Sequence, residues 1–273
     1  MRQHLNTLYI TLEGAYLKKD GAAIAIKHEG EIKLRVPLHN LQGIVCFGWN
    51  TSASAQLMHA CAQADVSLSF HTPHGKFLAS AIGPQSGNIL LRREQYRRAD
   101  HEPASLAIAA TCITAKLANT RTVLLRASRD HGEKSPQRAT ALRQASDTIA
   151  QRITTIPRCT SLDSLRGIEG DCASTYFASF NHLITNPEFT FKNRTKRPPL
   201  DPINALLSFA YVLLAHDCRS ACESVGLDTQ CGFLHRDRPG RASLSLDLME
   251  ELRPVLADRL VLSLINRQQI TIE

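Results

Sequence analysis

Through its first eighty-odd residues the chain alternates apolar and polar positions in short runs, NTLYITL, AAIAIKH, IKLRVPL, GIVCFG, VSLSFHT and KFLASAI, separated by Gly, Pro, Asn or Asp. A period of two bounded by such turn formers predicts β-strands. One segment breaks the pattern: TSASAQLMHACAQAD opens on a capping candidate, Thr51 or Ser52, and sets Leu57, Ala60 and Cys61 at helical spacing. After Gly83, Pro84 and Gly87 the apolar period becomes helical and stays so to the end. Helices are predicted at about 88–98, 103–128, 135–154, 161–185, 201–225 and 243–266, most of them separated by Pro, Gly or Asn. The expected architecture is α+β and multidomain. An N-terminal antiparallel β sandwich with one helix covers residues 1–85, and a larger all-helical domain covers residues 86–273.

Composition narrows the class. With 43% hydrophobic and 21% charged residues over 273 positions, the chain can bury a core, which excludes a disordered or fibrous protein. No apolar run approaches the ~20 residues that cross a bilayer, and the start has no secretory pattern, so a cytoplasmic location is expected. Eight scattered cysteines in a chain of this size then read as reduced thiols, mostly in the core. The net charge of +7 is unevenly spread: residues 86–199 hold 18 Lys and Arg against 10 Asp and Glu, whereas residues 200–273 hold 7 against 10. A basic middle beside an acidic end suits a polyanion held by one segment and a divalent cation by the other.

Candidate chemistry begins in SLDSLRGIEGDCASTYFASFNHLI, where Leu162, Leu165, Cys172, Tyr176 and Leu183 share one helical stripe with Glu169. A carboxylate facing a core must be paired, protonated or bound to a metal. Gly167 and Gly170 weaken the same helix by about 1 kcal/mol each relative to Ala, which leads one to expect a close neighbour against that turn. Farther on, GFLHRDRPGRASLSLDLMEELRP places His235 before a basic turn and sets Asp247 and Glu250 three apart on one helix face. Glu169, His235, Asp247 and Glu250 together offer mixed nitrogen and oxygen ligation suited to Mg²⁺ or Mn²⁺. The plainer alternative pairs Glu250 with Arg253 and leaves His235 on the surface. A rival, zinc on Cys218, Cys222, Cys231 and His235, lacks the usual paired knuckle, and both Cys218 and Cys222 continue an apolar stripe.

His71 and His74 flank Pro73 and read as turn residues, and no G-x-S-x-G, P-loop or G-x-G-x-x-G follows a strand. The basic clusters are Arg92, Arg93, Arg97 and Arg98; Lys192, Arg194, Lys196 and Arg197; and Arg236, Arg238 and Arg241. Aromatic residues make up only 5% of the chain, so phosphate contacts should outweigh base stacking in any nucleic-acid contact.

RGIEGDCASTYF, NRTKRPPLDPINALLSFAYVLL, GFLHRDRPGRASLSLDLMEELRP and ADRLVLSLIN, in this order, resemble the CRISPR-associated protein 1 family, most closely its subtype I-C members; KLANTR at 116–121 and the N-terminal strands fit as well. The resemblance covers nearly the whole chain. It implies a metal-dependent DNA endonuclease and integrase of spacer acquisition, in which a 3′-OH attacks a phosphodiester of the repeat array. It also implies Mg²⁺ or Mn²⁺ on Glu169, His235 and Glu250, with Asp247 as a further acidic residue of the catalytic site. The β domain would form a homodimer, and two dimers would bracket one dimer of CRISPR-associated protein 2, with no membrane involved. Prespacer and repeat DNA, duplex or branched, would then meet Arg194, Arg197 and Arg238. Family members continue with further C-terminal helices beyond LSLINRQQI, so a shortened, non-catalytic DNA-binding scaffold is the alternative expectation.

Overall fold

The computed structural model describes residues 6–83, 88–132, 135–235 and 237–272. Contacts divide the chain into two units, Met1–Gly87 and Asn88–Glu273, each with its own hydrophobic core. Pro84 and Gly87, singled out above as junction residues, lie outside the described residues, as does Arg236 of the third basic cluster.

The first unit holds β1 (Thr7–Ile10), β2 (Tyr16–Asp20), β3 (Ala23–His28), β4 (Glu31–Pro37), β5 (Gly43–Phe47), β6 (Ser52–Ala53), α1 (Ala55–Gln63), β7 (Ser67–His71) and β8 (Phe77–Ala81). Two four-stranded sheets form, in the orders β1-β5-β7-β8 and β4-β3-β2-β6. The strand directions correct the antiparallel expectation: β1 with β5, β5 with β7 and β2 with β6 run parallel, while β2 with β3, β3 with β4 and β7 with β8 run antiparallel. The reason is connectivity. Helix α1 fills the crossover from β5 to β7, and such a return brings the next strand back in the same direction. Tight reversals occur where Gly21 and Gly30 adopt positive φ, 62° and 84°.

Strand β2 escapes the sequence pattern because only Leu17 of YLKKD is buried. The α1 cap is Ser54, whose hydroxyl accepts from the Leu57 amide at 3.2 Å, and not Thr51 or Ser52, because Ser52–Ala53 is committed to pairing with β2. Leu57 and Cys61 then face inward against Ile24, Ile26, Ile44 and Leu68. His71 ends β7 and is wholly buried, with its ring on Ser69 and the Gly75 carbonyl, so it is a core residue of the strand and not a turn residue.

The second unit holds α2 (Ile89–Asp100), α3 (Glu102–His131), α4 (Pro136–Ile153), α5 (Leu162–Ser179), α6 (Pro202–Ser224), α7 (Ser243–Leu252) and α8 (Arg259–Asn266). Local chemistry starts several of them. Ser161 and Ser164 form a reciprocal capping box at α5, and Asp201 caps α6 through the Asn204 amide at 2.8 Å, with Pro202 in the first turn. Ile113 and Leu117 of α3, Leu142 and Ile149 of α4, Leu165 of α5 and Ile203 and Leu207 of α6 recur at helical spacing, and with Leu124 and Phe180 they close one core around α3 and α5. Between α7 and α8, Arg253–Asp258 forms a π turn. Pro254 lacks the N–H that would bond four residues back, and the chain widens there instead of breaking.

Candidate active site

Glu169 on α5 and Glu250 on α7 converge on one group, the Lys116 ammonium of α3. Lys116 Nζ hydrogen-bonds Glu169 Oε1 and lies 2.6 Å from Glu250 Oε2. The other Glu250 oxygen, Oε1, lies 2.7 Å from the Arg253 guanidinium, so the expected pairing with Arg253 is present beside the pairing with Lys116. Burial pushes the Glu250 carboxyl up, but Lys116 and Arg253 outweigh it and hold the group below the ordinary carboxylate range. The side chain of Glu250 is 5% exposed and that of Glu169 28%, so the pair sits at the edge of the core, open on the Glu169 side.

His235 enters from the loop before α7, and Asp247 of α7 holds it. Asp247 Oδ1 lies 2.5 Å from His235 Nδ1, and the same carboxylate accepts the backbone amides of Phe233 at 2.6 Å, Leu234 at 2.9 Å and His235 at 3.1 Å. Asp247 is therefore fully engaged in shaping the loop, which leaves Nε2 as the ring nitrogen able to serve a metal. Gly232 makes this wrap possible: a Cβ there would sit 2.8 Å from Asp247 Oδ2 and 2.8 Å from Ser243 Cβ. Arg166 of α5 clamps the loop from the other side, donating to the Leu234 carbonyl from Nε at 2.9 Å and from a terminal nitrogen as well. Gln95 of α2 fastens the loop's approach, with Nε2 donating to the Asp228 and Cys231 carbonyls at 2.7 and 2.8 Å.

A cavity of about 70 Å³ opens beside the carboxylates, lined by Lys116, Glu169, Arg194, Lys196, Tyr211 and Arg253 among others. Its floor is Asp258, wholly buried, which accepts hydroxyl bonds from Tyr176 at 3.0 Å and Tyr211 at 2.7 Å. Burial raises the Asp258 carboxyl to about 6 against the help of the two phenols. The guanidinium carbons of Arg194 and Arg253 lie 5.3 and 5.2 Å from the Tyr211 ring centroid. Burial and the neighbouring Arg253 and Arg194 push the Lys196 ammonium down.

The sequence-selected residues thus fall into two joined groups, Glu169 with Glu250 and His235 with Asp247. Among the basic candidates, Arg197 and Arg238 are exposed, but Arg194 is half-buried and bonded to Asn204 Oδ1 at 2.7 Å and Ser208 at 3.1 Å, which makes it first a brace of the loop on α6. The expected close neighbour of Gly167 and Gly170 is absent among the described residues; a Cβ at either meets nothing within 4 Å. Cys218 and Cys222 are buried on α6 as core residues, and among the described residues no three His, Cys, Asp or Glu side chains are grouped to hold a metal, zinc included. The donor chemistry of Glu169, Glu250 and His235 still fits a divalent ion: two carboxylates already share one cation, and the imidazole is oriented by a carboxylate. Lys116 and Arg166 have no role in the sequence reading of the site, where Lys196 enters only through a basic cluster and Arg253 only as a partner of Glu250. The available signal was Lys116, which sits on the buried α3 stripe of Ile113, Leu117 and Thr120 just as Glu169 sits on that of α5.

A family model described as CRISPR associated protein Cas1 matches residues 8–273. A curated relative from Rhodospirillum rubrum, CRISPR-associated endonuclease Cas1 2, is 52% identical over 274 residues, covering 99% of this chain and 78% of that protein. One from Chlorobaculum tepidum, CRISPR-associated endonuclease Cas1 1, is 49% identical over 272 residues with the same coverage of each. Among solved structures, a CAS1 protein from Thermotoga maritima has the same fold, with a TM-score of 0.80 at 23% identity over 98% of this chain and 81% of that one. A casposase bound to its integration product superposes with a TM-score of 0.78 at 26% identity over 98% of this chain and 74% of its own. No described helix is long and apolar enough to cross a membrane.

Proposed function

This chain belongs to the Cas1 family of CRISPR-associated proteins, and we propose that it is a divalent-metal-dependent DNA endonuclease and integrase of CRISPR adaptation. One observation carries the metal dependence: carboxylates from two helices, Glu169 and Glu250, converge on a single cation position beside a histidine oriented by Asp247. Glu169, Glu250 and His235 Nε2 would hold Mg²⁺ or Mn²⁺. When bound, the ion supplies a Lewis acid that lowers the pKa of an attacking hydroxyl or water and neutralises charge on the phosphoryl oxygens.

The chain's own residues do the rest. Asp247 fixes the tautomer and the direction of the His235 ring. Arg166 and Gln95 keep the His235 loop from swinging away. Lys196 and Arg253 line the cavity beside Glu169 and present positive charge to an incoming DNA phosphate. Exposed Arg197 and Arg238 would contact phosphates farther along the duplex.

The partner reading follows the same premise. A Cas6-RT-Cas1–Cas2 complex is among the structures similar to this chain, with a TM-score of 0.76 at 24% identity. We assign to this chain a homodimer through its first unit, two such dimers flanking one Cas2 dimer on prespacer and repeat DNA. The test of function is cleavage and strand transfer on linear and branched duplexes with and without Mn²⁺, beside Glu169→Ala and His235→Ala. Product that requires the ion and disappears in both variants is expected; product that persists without ion or in either variant overturns the assignment.

A further inference from the structure

The most unusual group at the site is a base among acids. Lys116 stands on α3, Glu169 on α5 and Glu250 on α7, so its ammonium ties three helices together at one point. Its side chain is only 11% exposed. Two carboxylates drawn this close at the edge of a core repel each other and lose hydration, and an uncompensated pair there would force the helices apart or take up a proton. Arg253 does not fill this need, because it engages Glu250 Oε1, whereas the oxygen paired with Lys116 is Oε2.

We propose that Lys116 is a resident cation that fills the divalent ion's place in the metal-free protein and has to leave Glu169 or Glu250 when the ion enters. The proposal rests on the metal-dependent reading above. Its basis is that the oxygens concerned are the same: Nζ hydrogen-bonds Glu169 Oε1 and pairs with Glu250 Oε2 at 2.6 Å, an oxygen with no hydrogen-bond partner, and a hard divalent ion takes carboxylate oxygens directly. A lysine suits the task, being a compact charge on a flexible stem, and the cavity that Lys116 already lines gives the released ammonium room. Two consequences follow. The metal-free site stays assembled, with its helices in register, and ion binding is weakened by the fraction of molecules in which Lys116 holds the carboxylates. Lys116 is thus a positioning residue, acting on the ion through the carboxylates.

Mn²⁺ binding measured by electron paramagnetic resonance on the full chain tests this, with Lys116→Met removing the charge at similar length and Lys116→Arg retaining it. Lys116→Met is expected to bind Mn²⁺ at least about tenfold more tightly than wild type, with a lower melting temperature in chelator that Mn²⁺ restores. Lys116→Arg is expected to bind no more tightly than wild type. Equal or weaker binding in Lys116→Met overturns the proposal while leaving the metal reading intact. A wild-type protein that binds no Mn²⁺ overturns both. Should Lys116→Met fail to fold, amine-reactive labelling of the wild type read by mass spectrometry decides: Lys116 labelling rises on Mn²⁺ addition if the ammonium is released, and an unchanged yield overturns the release.

Discussion

The Asp247 carboxylate carries His235: one oxygen lies 2.5 Å from the ring's Nδ1, and the two oxygens together accept three consecutive backbone amides, from Phe233 to His235. A single acidic side chain therefore sets both the path of the loop and the direction of the imidazole. Its proximity in sequence to Glu250 makes it look like a ligand, yet its lone pairs are already spoken for.

Replacing Asp247 separates these roles. Asp247→Ala strips charged acceptors from three amides and should cost at least about 3 kcal/mol in urea unfolding. Asp247→Asn keeps the shape but not the full acceptor set, and should weaken Mn²⁺ binding by about 10- to 100-fold. Titration of the folded variant with Mn²⁺ checks it, and an unaltered affinity would return Asp247 to a purely structural standing.

The glycines offer opposite outcomes on neighbouring elements. Gly232→Ala puts a Cβ 2.8 Å from Asp247 Oδ2 and 2.9 Å from the Ser243 carbonyl carbon, so about 1–3 kcal/mol of stability and the His235 alignment should be lost together. Gly167→Ala and Gly170→Ala face open space within α5 and should each stabilise by up to about 1 kcal/mol. Denaturant midpoints at constant slope distinguish the two sets.

Asp258 makes stability depend on pH. Its carboxyl is raised from 3.8 to about 6 by burial, so the folded chain binds that proton more tightly than the unfolded chain does. The resulting stabilisation is complete below the unfolded value and is lost as pH rises through about 6. Wild type should thus lose up to roughly 3 kcal/mol from this group between those limits, a slope that Asp258→Asn removes. Parallel unfolding curves for the two proteins across that window would rule it out.

The three arginines proposed to meet DNA should behave differently. Arg197→Ala and Arg238→Ala remove exposed charges, and each should lower the slope of log affinity for duplex DNA against log salt by about 0.9. Arg194→Ala removes bonds to Asn204 and Ser208 and the stacking on Tyr211, so its main effect should be a loss of about 2 kcal/mol in thermal or urea unfolding. A salt slope that changes only in Arg194→Ala would invert the assignment.

Most of the architecture is readable in the sequence. The helical spans of the second unit follow from apolar period, caps and Pro or Gly stops, and the 243–266 span holds even though a π turn is built into it. Glu169 announces itself by standing on an apolar stripe. The parallel pairing of β1, β5 and β7 is not readable, since alternation in a strand is indifferent to the direction of its neighbour.

What the sequence by itself determined is therefore local: which stretches form helix or strand, where the period changes, and which acidic residues and histidine lie on faces that must be compensated. Tertiary structure alone decided how they are compensated. Lys116 lies 53 residues from Glu169, and no spacing rule links them; packing of α3 against α5 and α7 puts one ammonium between two carboxylates. It likewise turned Asp247 from a candidate ligand into the holder of His235, because only the folded loop shows that its oxygens are taken by amides. Periodicity and capping act over a few bonds, whereas charge compensation acts across whatever the fold brings within a few ångströms.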